Sequence, residues 1–486
     1  MICISIAQKS RRLALVDMFN AAPQCDLIEV RLDCFEQAAN IAELLANKRK
    51  PVMIACRRSE DGGEWTGQEA ERLALLRQCV ICKADYVEIE LDVADEIRPL
   101  PPTKRVITYT NLLEVPNNLN EIYQQALTKR PDVIKLVVPA RSPEEVWPVV
   151  QILGKPAAPT VVVGVGKPGI MLALLARKVG APWVYAALER GMEAYHEQFT
   201  VPDLEAVYHY RSIDRSTPFV AVTGFGELQY VTIALLNAAL ARLGEPVRCL
   251  PLEIGSSSVF RKVLEAVKVK GAIIDAEHQA AVRELVTELR PSASLAEAVD
   301  FMAHQDGRWQ GHHIFSRAVL GALEEMLRAS KSAGSGKPDE GPLKGRVVMF
   351  VGTNGLCRVL ATGAQRAGAI PIIAGSDKQA AHALAQALGC RFIRQEAVYT
   401  TLHDVLVRCD DTDLHPGFLK PGMTVVDVTA LPRSSHLLVE AGQRGCQVVS
   451  PQQLLVELVN RYLRAIAGET VPHEFLLEVL TPLIAD

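Results

Sequence analysis

Lys135 is the residue whose surroundings most strongly suggest covalent chemistry. It lies in the run VIKLVVP, which is otherwise apolar, and strand alternation predicts that its side chain points into a protein interior. Burial disfavours the ammonium form of an amine, and a neutral amine can form a Schiff base with a ketone. The alternative is an ion pair between Lys135 and one of Glu29, Glu88 or Glu90. The residues alone leave both interpretations open.

Charged side chains also lie near the ends of other strand-like runs. Glu29 and Arg31 lie in IEVRLD, while Arg57 and Arg58 begin the segment RRSEDGGE. Inward arginines are costly unless they are paired, and their forked donors suit a carboxylate on a ligand. The alternative is that these charges pair with one another. The first 195 residues contain no histidine, the residue type that most often transfers protons near neutral pH.

Eight strand-like runs in the first 210 residues position these side chains. Helix-like segments separate most of the runs, and such repeated βα units predict a closed parallel (β/α)8 barrel over residues 1–212. The chemistry of such a barrel lies at the carboxyl ends of its strands. The runs are ICISIA, DLIEVRLD, PVMIACR, DYVEIEL, RVITYT, DVIKLVV, PTVVVGV and WVYAALE.

A second α/β module is predicted after the barrel. Residues 217–330 restart the strand pattern, and residues 331–344 are rich in Gly, Ser and Pro, which predicts a flexible linker. Residues 345–486 open with a strand, a glycine turn and a helix, which predict a Rossmann-like nucleotide domain that ends in a C-terminal helix. The predicted phosphate turn contains Gly352, Asn354 and Gly355.

Composition is typical of a soluble globular protein. Apolar residues make up 49% and charged residues 22% of the chain, and the formal net charge is −4 without long single-sign runs. We therefore expect a cytoplasmic protein that binds a small molecule and binds neither nucleic acid nor a membrane. The sequence leaves open whether the protein forms a homo-oligomer. The close pair Cys79 and Cys82 is interpreted as core packing, and no metal site is predicted.

The motifs together resemble two known enzyme families. Residues 1–210 are similar to type I 3-dehydroquinate dehydratase, through IEVRLD, RRSEDGGE, DVIKLVVPA and GMEAYHEQFTVPDLEAVYHYRSID; residues 218–486 are similar to shikimate dehydrogenase. The resemblance implies a fused shikimate-pathway enzyme, in aromatic amino acid biosynthesis, that acts on a cyclic keto acid in a barrel without a cofactor. It also implies that Lys135 is the Schiff-base lysine. The substrate pocket that it implies contains Glu29, Arg31, Arg57 and Gln198.

The barrel departs from the resembling family at several positions. The family's proton-shuttling histidine falls on Thr110, its carboxylate-binding arginine on Ala173, and its loop serine on Ala194. Asp61 stands where the family has a longer acidic residue and is retained as a catalytic candidate. His196, in the loop after the eighth strand, is predicted to replace the missing histidine. The alternative is that His196 is merely exposed and the barrel is inactive.

The dehydrogenase-like half departs further from its family. Tyr230 and Thr232 stand where that family has two substrate-binding serines. The family's acid–base lysine, paired asparagine and aspartate fall on Gln279, Asp300 and Phe315. We therefore expect little or no dehydrogenase activity. His278, His312 and His313 are interpreted as surface or structural residues.

The nucleotide preference of this half depends on the residues after its second strand. Ser376 and Asp377 stand where the resembling family has an arginine pocket for the 2′-phosphate of NADP. An acidic residue at this point favours NAD over NADP, although Cys357 at the third glycine position argues against binding either dinucleotide. The alternative function for the whole chain is a non-catalytic ligand-binding or scaffolding relative of the fused enzyme.

Overall fold

The structure is a computed structural model, and it describes residues 1–37, 40–46, 48–195, 198–331 and 341–484. The chain divides into two compact units. The first unit comprises Met1–Phe219 and Pro246–Val269, and the second comprises Val220–Glu245 and Lys270–Asp486. The domain limits expected from the sequence stay predictions.

The first unit contains eight parallel strands that form a nearly closed barrel, as the sequence predicts. The strands pair in the order β7-β6-β5-β4-β3-β2-β1-β8. They are β1 (Ile2–Ile6), β2 (Leu27–Arg31), β3 (Val52–Ala55), β4 (Tyr86–Glu90), β5 (Lys104–Thr110), β6 (Val133–Pro139), β7 (Thr160–Val165) and β8 (Val184–Ala186). The α-helices between them are α1 (Arg11–Ala21), α2 (Ile41–Ala46), α3 (Glu69–Ile81), α4 (Leu119–Thr128), α5 (Pro143–Gly154) and α6 (Gly169–Val179).

The barrel interior has an apolar layer, which we call the barrel floor. Because side chains alternate along a strand, the floor residues Leu27 and Val133 share a face with Glu29 and Lys135, two positions nearer the carboxyl ends. The pattern that builds the floor thus also directs the charged side chains into the interior. The floor comprises Cys3, Leu27, Met53, Val106, Val133, Val161, Val163, Trp183 and Tyr185.

The second unit begins with a mixed sheet. Its strands lie in the order β9-β11-β13-β14-β12, and β13 pairs antiparallel with both β11 and β14. The elements here are β9 (Phe219–Thr223), α7 (Glu227–Arg242), β10 (Arg248–Leu252), α8 (Ser257–Val267), β11 (Val269–Ile273), β12 (Glu288–Leu289), α9 (Pro291–Ala296), β13 (Phe301–Gln305), β14 (Arg308–His312) and α10 (Phe315–Lys331). Of these, β10 and α8 belong to the first unit.

The rest of the second unit is the predicted Rossmann-like domain. Its parallel sheet has the order β17-β16-β15-β18-β19-β20, so the strand order reverses between β15 and β18. Ligands of doubly wound folds bind outside the carboxyl ends of the strands at that point. The elements are β15 (Val347–Val351), α11 (Gly355–Arg366), β16 (Ile370–Ala374), α12 (Lys378–Leu388), β17 (Arg391–Phe392), β18 (Val405–Arg408), β19 (Thr424–Asp427), α13 (His436–Gln443), β20 (Gln447–Val448), α14 (Pro451–Ala467) and α15 (His473–Ile484).

Two further observations concern the sequence expectations. Cys79 is fully buried in α3, and Cys82 is partly buried immediately after that helix; neither forms a disulfide. Among the described helices, none is both long enough and apolar enough to cross a membrane.

Candidate active site

Lys135 lies on β6 with its side chain in the barrel interior, where it is 1% exposed. Its Nζ donates a hydrogen bond to Oε2 of Glu88 at 2.8 Å and lies 3.5 Å from Oε1 of Glu29. The centroid of the Tyr185 ring lies 4.5 Å from the same nitrogen. The inward position and the ion pairs, which the sequence left as alternatives, therefore occur together.

Arg57 joins the two carboxylates that contact this lysine. Its Nη2 donates to Oε1 of Glu29 at 2.6 Å, and its Nε donates to Oε1 of Glu88 at 3.0 Å. The Tyr185 hydroxyl also donates to Oε1 of Glu29, at 3.0 Å. Lys135, Arg57, Glu29 and Glu88 thus form one set of two cations and two carboxylates, which we call the lysine network; Arg57 is half-buried and the other three are buried.

Opposite charges in the lysine network favour the ionised form of Glu29. Burial alone would raise the pKa of Glu29, but the charge of Arg57, followed by that of Lys135, holds that pKa well below its ordinary range. Burial would lower the pKa of Arg57, yet Glu29 and Glu88 raise it well above its ordinary value. Glu29 and Arg57 therefore each stabilise the charged form of the other.

Arg31 takes part in a second buried ion pair. Its Nε and Nη2 donate to the two carboxylate oxygens of Asp33 at 2.9 and 2.5 Å. Oδ2 of Asp33 also accepts from the backbone N–H of Glu64 at 3.0 Å, which ties the loop after β3 to β2. The pairing alternative considered from the sequence thus describes the contacts of Arg31.

Asp61 lies in a 3-10 turn of that same loop, Ser59–Asp61. Its Oδ2 accepts from Nε of Arg58 at 2.6 Å. Burial raises the pKa of Asp61, and Arg58 opposes that rise. Within the described residues, no hydrogen bond or ion pair joins Asp61 to Lys135.

The loop after β8 carries Gln198, which is buried. Its Oε1 accepts from the backbone N–H of Ala194 at 2.7 Å. Tyr195 packs against the barrel floor. His196, the predicted proton carrier, lies outside the described residues.

The positions that depart from the resembling family hold side chains that do not titrate. Thr110 ends β5, Ala173 lies in α6, and Ala194 lies in the loop after β8. Glu90, the last residue of β4, does titrate nearby: burial raises its pKa to about 7, against the effect of Arg72. Nη1 of Arg72 donates to Oε1 of Glu90 at 2.9 Å.

Sequence reasoning missed Ser5 and Tyr185 as parts of this site. The Ser5 hydroxyl donates to Oε2 of Glu29 at 2.5 Å, so Ser5 and Tyr185 both supply hydrogen bonds to the same carboxylate. Each lies two positions after a floor residue, Cys3 or Trp183. A period-two count along β1 and β8 would have identified them.

A cavity of about 780 Å³ lies in the second unit, where the Rossmann-like sheet reverses its order. Its lining includes Asn354 and Gly355 from the predicted phosphate turn, whereas Gly352 and Asp377 are not part of it. Binding of a nucleotide by these four residues stays a prediction. Residues at the predicted dehydrogenase positions also line this cavity: Thr232, Gln279, Asp300 and Phe315.

The phosphate turn is closed in by other parts of the second unit. Gly352 has φ +138°, and a Cβ at this position would lie 3.0 Å from Oδ2 of Asp410. A Cβ at Gly355 would lie 1.8 Å from the carbonyl oxygen of Ala296. The Asn354 side chain accepts from the N–H of Cys357 at 2.9 Å and so caps α11. Packing and capping thus account for all three residues.

Asp377 has a structural partner of its own. Its Oδ1 accepts from the backbone N–H groups of Gln379 and Ala380 at 2.9 and 3.0 Å, which makes it the N-cap of α12. An aspartate in this position stabilises the first turn of a helix. The role predicted for it, contact with a ribose, remains a prediction.

Polar pairs also account for two other predicted dehydrogenase positions. Asp300 accepts from the backbone N–H groups of Ile314 and Phe315, both at 2.6 Å, at the start of α10. Burial raises the pKa of Asp300, and His313 opposes that rise. The Gln279 amide donates to the carbonyl oxygen of Ile274 at 3.3 Å. A glutamine cannot take up or release a proton near neutral pH.

One group of described residues has ligand atoms close enough to share a metal ion, namely Asp275, Glu277 and His278. Asp275 already has other partners, since Thr223 donates to its Oδ1 at 2.5 Å and Nδ1 of His278 lies 2.8 Å from its Oδ2. The cluster is therefore explained without a metal ion.

Comparison with known proteins identifies the barrel. The profile of the type I 3-dehydroquinase family matches residues 2–215. The 3-dehydroquinate dehydratase of Methanopyrus kandleri is 30% identical over 183 residues, which cover 37% of this chain and 84% of that protein. The chain belongs to the type I 3-dehydroquinase family.

The similarity extends beyond the type I 3-dehydroquinase barrel. The chloroplastic bifunctional 3-dehydroquinate dehydratase/shikimate dehydrogenase of Arabidopsis thaliana is 24% identical over 481 residues, which cover 94% of this chain and 80% of that protein. The fused arrangement implied by the motifs is confirmed. Among solved structures, shikimate 5-dehydrogenase from Thermus thermophilus, in complex with NADP(H) and shikimate, is 20% identical with a TM-score of 0.47, over 55% of this chain and all of that one.

We expect Glu29→Gln to destabilise the first unit in a pH-dependent manner. Because the folded-state pKa of Glu29 lies below its ordinary value of 4.5, its stabilisation is present at neutral pH and is lost as the pH falls below that value. Removing this partner should cost about 3–5 kcal/mol at pH 7, and the difference from wild type should narrow by pH 3. Urea unfolding at both pH values, followed by circular dichroism, measures this.

The matched control is Glu96→Gln. Glu96 is exposed and pairs with Arg77 at 3.3 Å, so its loss should cost less than about 1 kcal/mol at either pH. If Glu29→Gln lowered the free energy of unfolding equally at pH 7 and pH 3, the charge of Glu29 would not be what stabilises the network.

Proposed function

We propose that the barrel is a Schiff-base lyase that dehydrates 3-dehydroquinate or a related cyclic keto acid. The observation that carries this proposal is the position of Lys135, buried in the barrel interior, with Nζ 2.8 Å from Glu88 and 3.5 Å from Glu29. The family of the barrel supports the substrate class. The alternative is that Lys135 only forms ion pairs and does not react. Trapping a covalent adduct on Lys135 distinguishes the two.

The lysine network can prepare Lys135 for attack. The amine must first lose a proton, and Oε2 of Glu88 is an acceptor within hydrogen-bond distance. Addition of Nζ to the ketone carbon, followed by loss of the carbonyl oxygen as water, gives a protonated imine. The proton that Glu88 accepted passes to the departing oxygen, which leaves as water. Glu88 is a carboxylate again once the imine has formed, and the imine carries the positive charge that the ammonium group had.

The elimination itself requires two proton transfers. The protonated imine acidifies the adjacent C–H, a base removes that proton, and the β-hydroxyl group takes up a proton and leaves as water. Hydrolysis of the imine then releases the unsaturated ketone and restores the amine. We assign proton transfer to His196, with Asp61 as the further candidate. In the sequence, His196 directly follows Tyr195, which packs on the barrel floor, and stands two residues before Gln198, which is buried. Arg31 and Gln198 are assigned to substrate binding.

For the second unit we propose that shikimate dehydrogenase activity is absent. The cavity offers Gln279 where hydride transfer to or from an alcohol needs an acid–base group, and none of its described lining residues is a lysine or an arginine. Oδ2 of Asp410 lies close to Gly352 of the predicted turn, and a carboxylate at this point opposes the binding of a dinucleotide phosphate.

Borohydride should trap a covalent adduct on Lys135. Reduction in the presence of 3-dehydroquinate should increase the intact mass by one reduced adduct, and peptide mapping should place that adduct on Lys135. Lys135→Met should abolish trapping, whereas Lys104→Met, which removes an exposed lysine on β5, should not. An adduct at another residue, or none on wild type, would show that Lys135 serves only as an ion-pair partner.

Replacement of His196 separates imine formation from elimination. His196→Gln should lower the dehydratase rate by about two to four powers of ten, the range typical of general acid–base groups, while borohydride trapping on Lys135 persists. Exposed His304 in β13 provides the control, and His304→Gln should leave both readouts unchanged. An unchanged rate in His196→Gln would transfer the proton-carrying role to Asp61 or to water.

Shikimate oxidation should be negligible with either NADP or NAD. Without an acid–base group at position 279, the turnover number should fall far below about 1 per second, the lower end of the usual range for enzymes. Absorbance at 340 nm with both dinucleotides measures it. A turnover number in the usual range would show that another residue of the second unit supplies the proton.

A further inference from the structure

The cavity of the second unit has a strongly acidic lining. Asp275, Asp300, Asp410 and Asp411 all contribute to it, and no lysine or arginine is present among the described residues that line it. Glu297 lines it as well, but Nη1 of Arg358 lies 2.6 Å from its carboxylate. The four aspartates therefore line a space of about 780 Å³. Among the described residues, none of the four has an arginine or lysine partner within ion-pair distance.

Two buried polar groups provide a second, independent sign of a ligand. Tyr462 is 4% exposed and lines the cavity, yet its hydroxyl forms no hydrogen bond with any described residue. His313 is 3% exposed, and among the described residues only its Nδ1 has a hydrogen-bond partner, the Ser316 hydroxyl at 3.0 Å. The Tyr462 hydroxyl and Nε2 of His313 are therefore free to form hydrogen bonds with a polar molecule in the cavity.

Asp410 is the carboxylate best placed to bind a cationic group. Its Oδ1 accepts from the N–H of Thr412 at 3.0 Å, while its Oδ2 has no hydrogen-bond donor among the described residues. By contrast, both oxygens of Asp300 already accept backbone N–H groups, and those of Asp275 have Thr223 and His278 as partners.

The charge of the lining selects among small molecules. A carboxylate or phosphate ligand would enter a space whose described lining presents like charges and no lysine or arginine, whereas an ammonium group would gain an acidic partner. Hydroxyl groups on the same ligand can accept from the Tyr462 hydroxyl and exchange hydrogen bonds with His313 and Thr429. We propose that this cavity binds a cationic aminopolyol, a small molecule with one ammonium group and several hydroxyls.

Three six-carbon polyols that differ at one terminal group test the proposal on the full chain. Glucamine carries an ammonium group, sorbitol a hydroxyl and gluconate a carboxylate, while the remaining hydroxyl chain is shared. Isothermal titration calorimetry at pH 7 and constant ionic strength should give the order glucamine, sorbitol, gluconate, with about tenfold or more between the first and the last, or about 1.4 kcal/mol. Tighter binding of gluconate or shikimate, or no glucamine binding, would overturn the proposal.

Variants locate the binding site. Asp410→Asn should weaken glucamine binding by about tenfold and leave sorbitol binding nearly unchanged, because it removes one negative charge without changing the shape. Tyr462→Phe should weaken the binding of both glucamine and sorbitol. Asp413→Asn, an exposed residue of the same loop outside the cavity lining, is the matched control and should behave as wild type. Equal glucamine affinity in Asp410→Asn and wild type would place binding elsewhere and overturn the proposal.

Discussion

The site in the first unit depends on the pairing of two buried carboxylates with a buried lysine and a half-buried arginine. Lys135 and Arg57 lie in an interior that would exclude either charge alone, and Glu29 and Glu88 make their burial tolerable. A buried ion pair of this kind is not a strong source of stability, since desolvation offsets most of the attraction. In the proposed function its value is chemical, because it holds Lys135 in the barrel interior with an acceptor for its proton.

Charge balance also explains why this chemistry suits the network. An ammonium group and a protonated imine carry the same charge, so forming the covalent intermediate leaves the four-charge set neutral. The contacts of Glu29 with the Ser5 and Tyr185 hydroxyls do not need to change either. Such an environment is prepared before the substrate arrives, which is the condition for electrostatic stabilisation without reorganisation.

The second unit shows the opposite relationship between fold and site. Its sheet has the strand order of dinucleotide-binding proteins, and its cavity lies where such proteins bind their ligands. The charged side chains among its described lining are nevertheless all acidic, and the phosphate turn packs against Ala296 and Asp410. A fold does not fix a function, so the proposals for the two units depend on the side chains of each site.

The sequence by itself determined the order of elements and the faces of the barrel strands. Alternation along β2 and β6 predicted that Glu29 and Lys135 point inward, and the βα repeat predicted the barrel, because both depend on local periodicity. The motifs also identified the family. The sequence did not show that Asp377 caps α12 or that Gly355 packs against the Ala296 carbonyl, because neither contact follows from a residue's position along the chain. Only the tertiary structure decided which distant residues meet: barrel closure brings Ser5 and Tyr185 to Glu29 from opposite ends of the barrel sequence. Periodicity fixes the direction of a side chain on its own element, whereas its partners depend on chain topology, which acts over hundreds of residues.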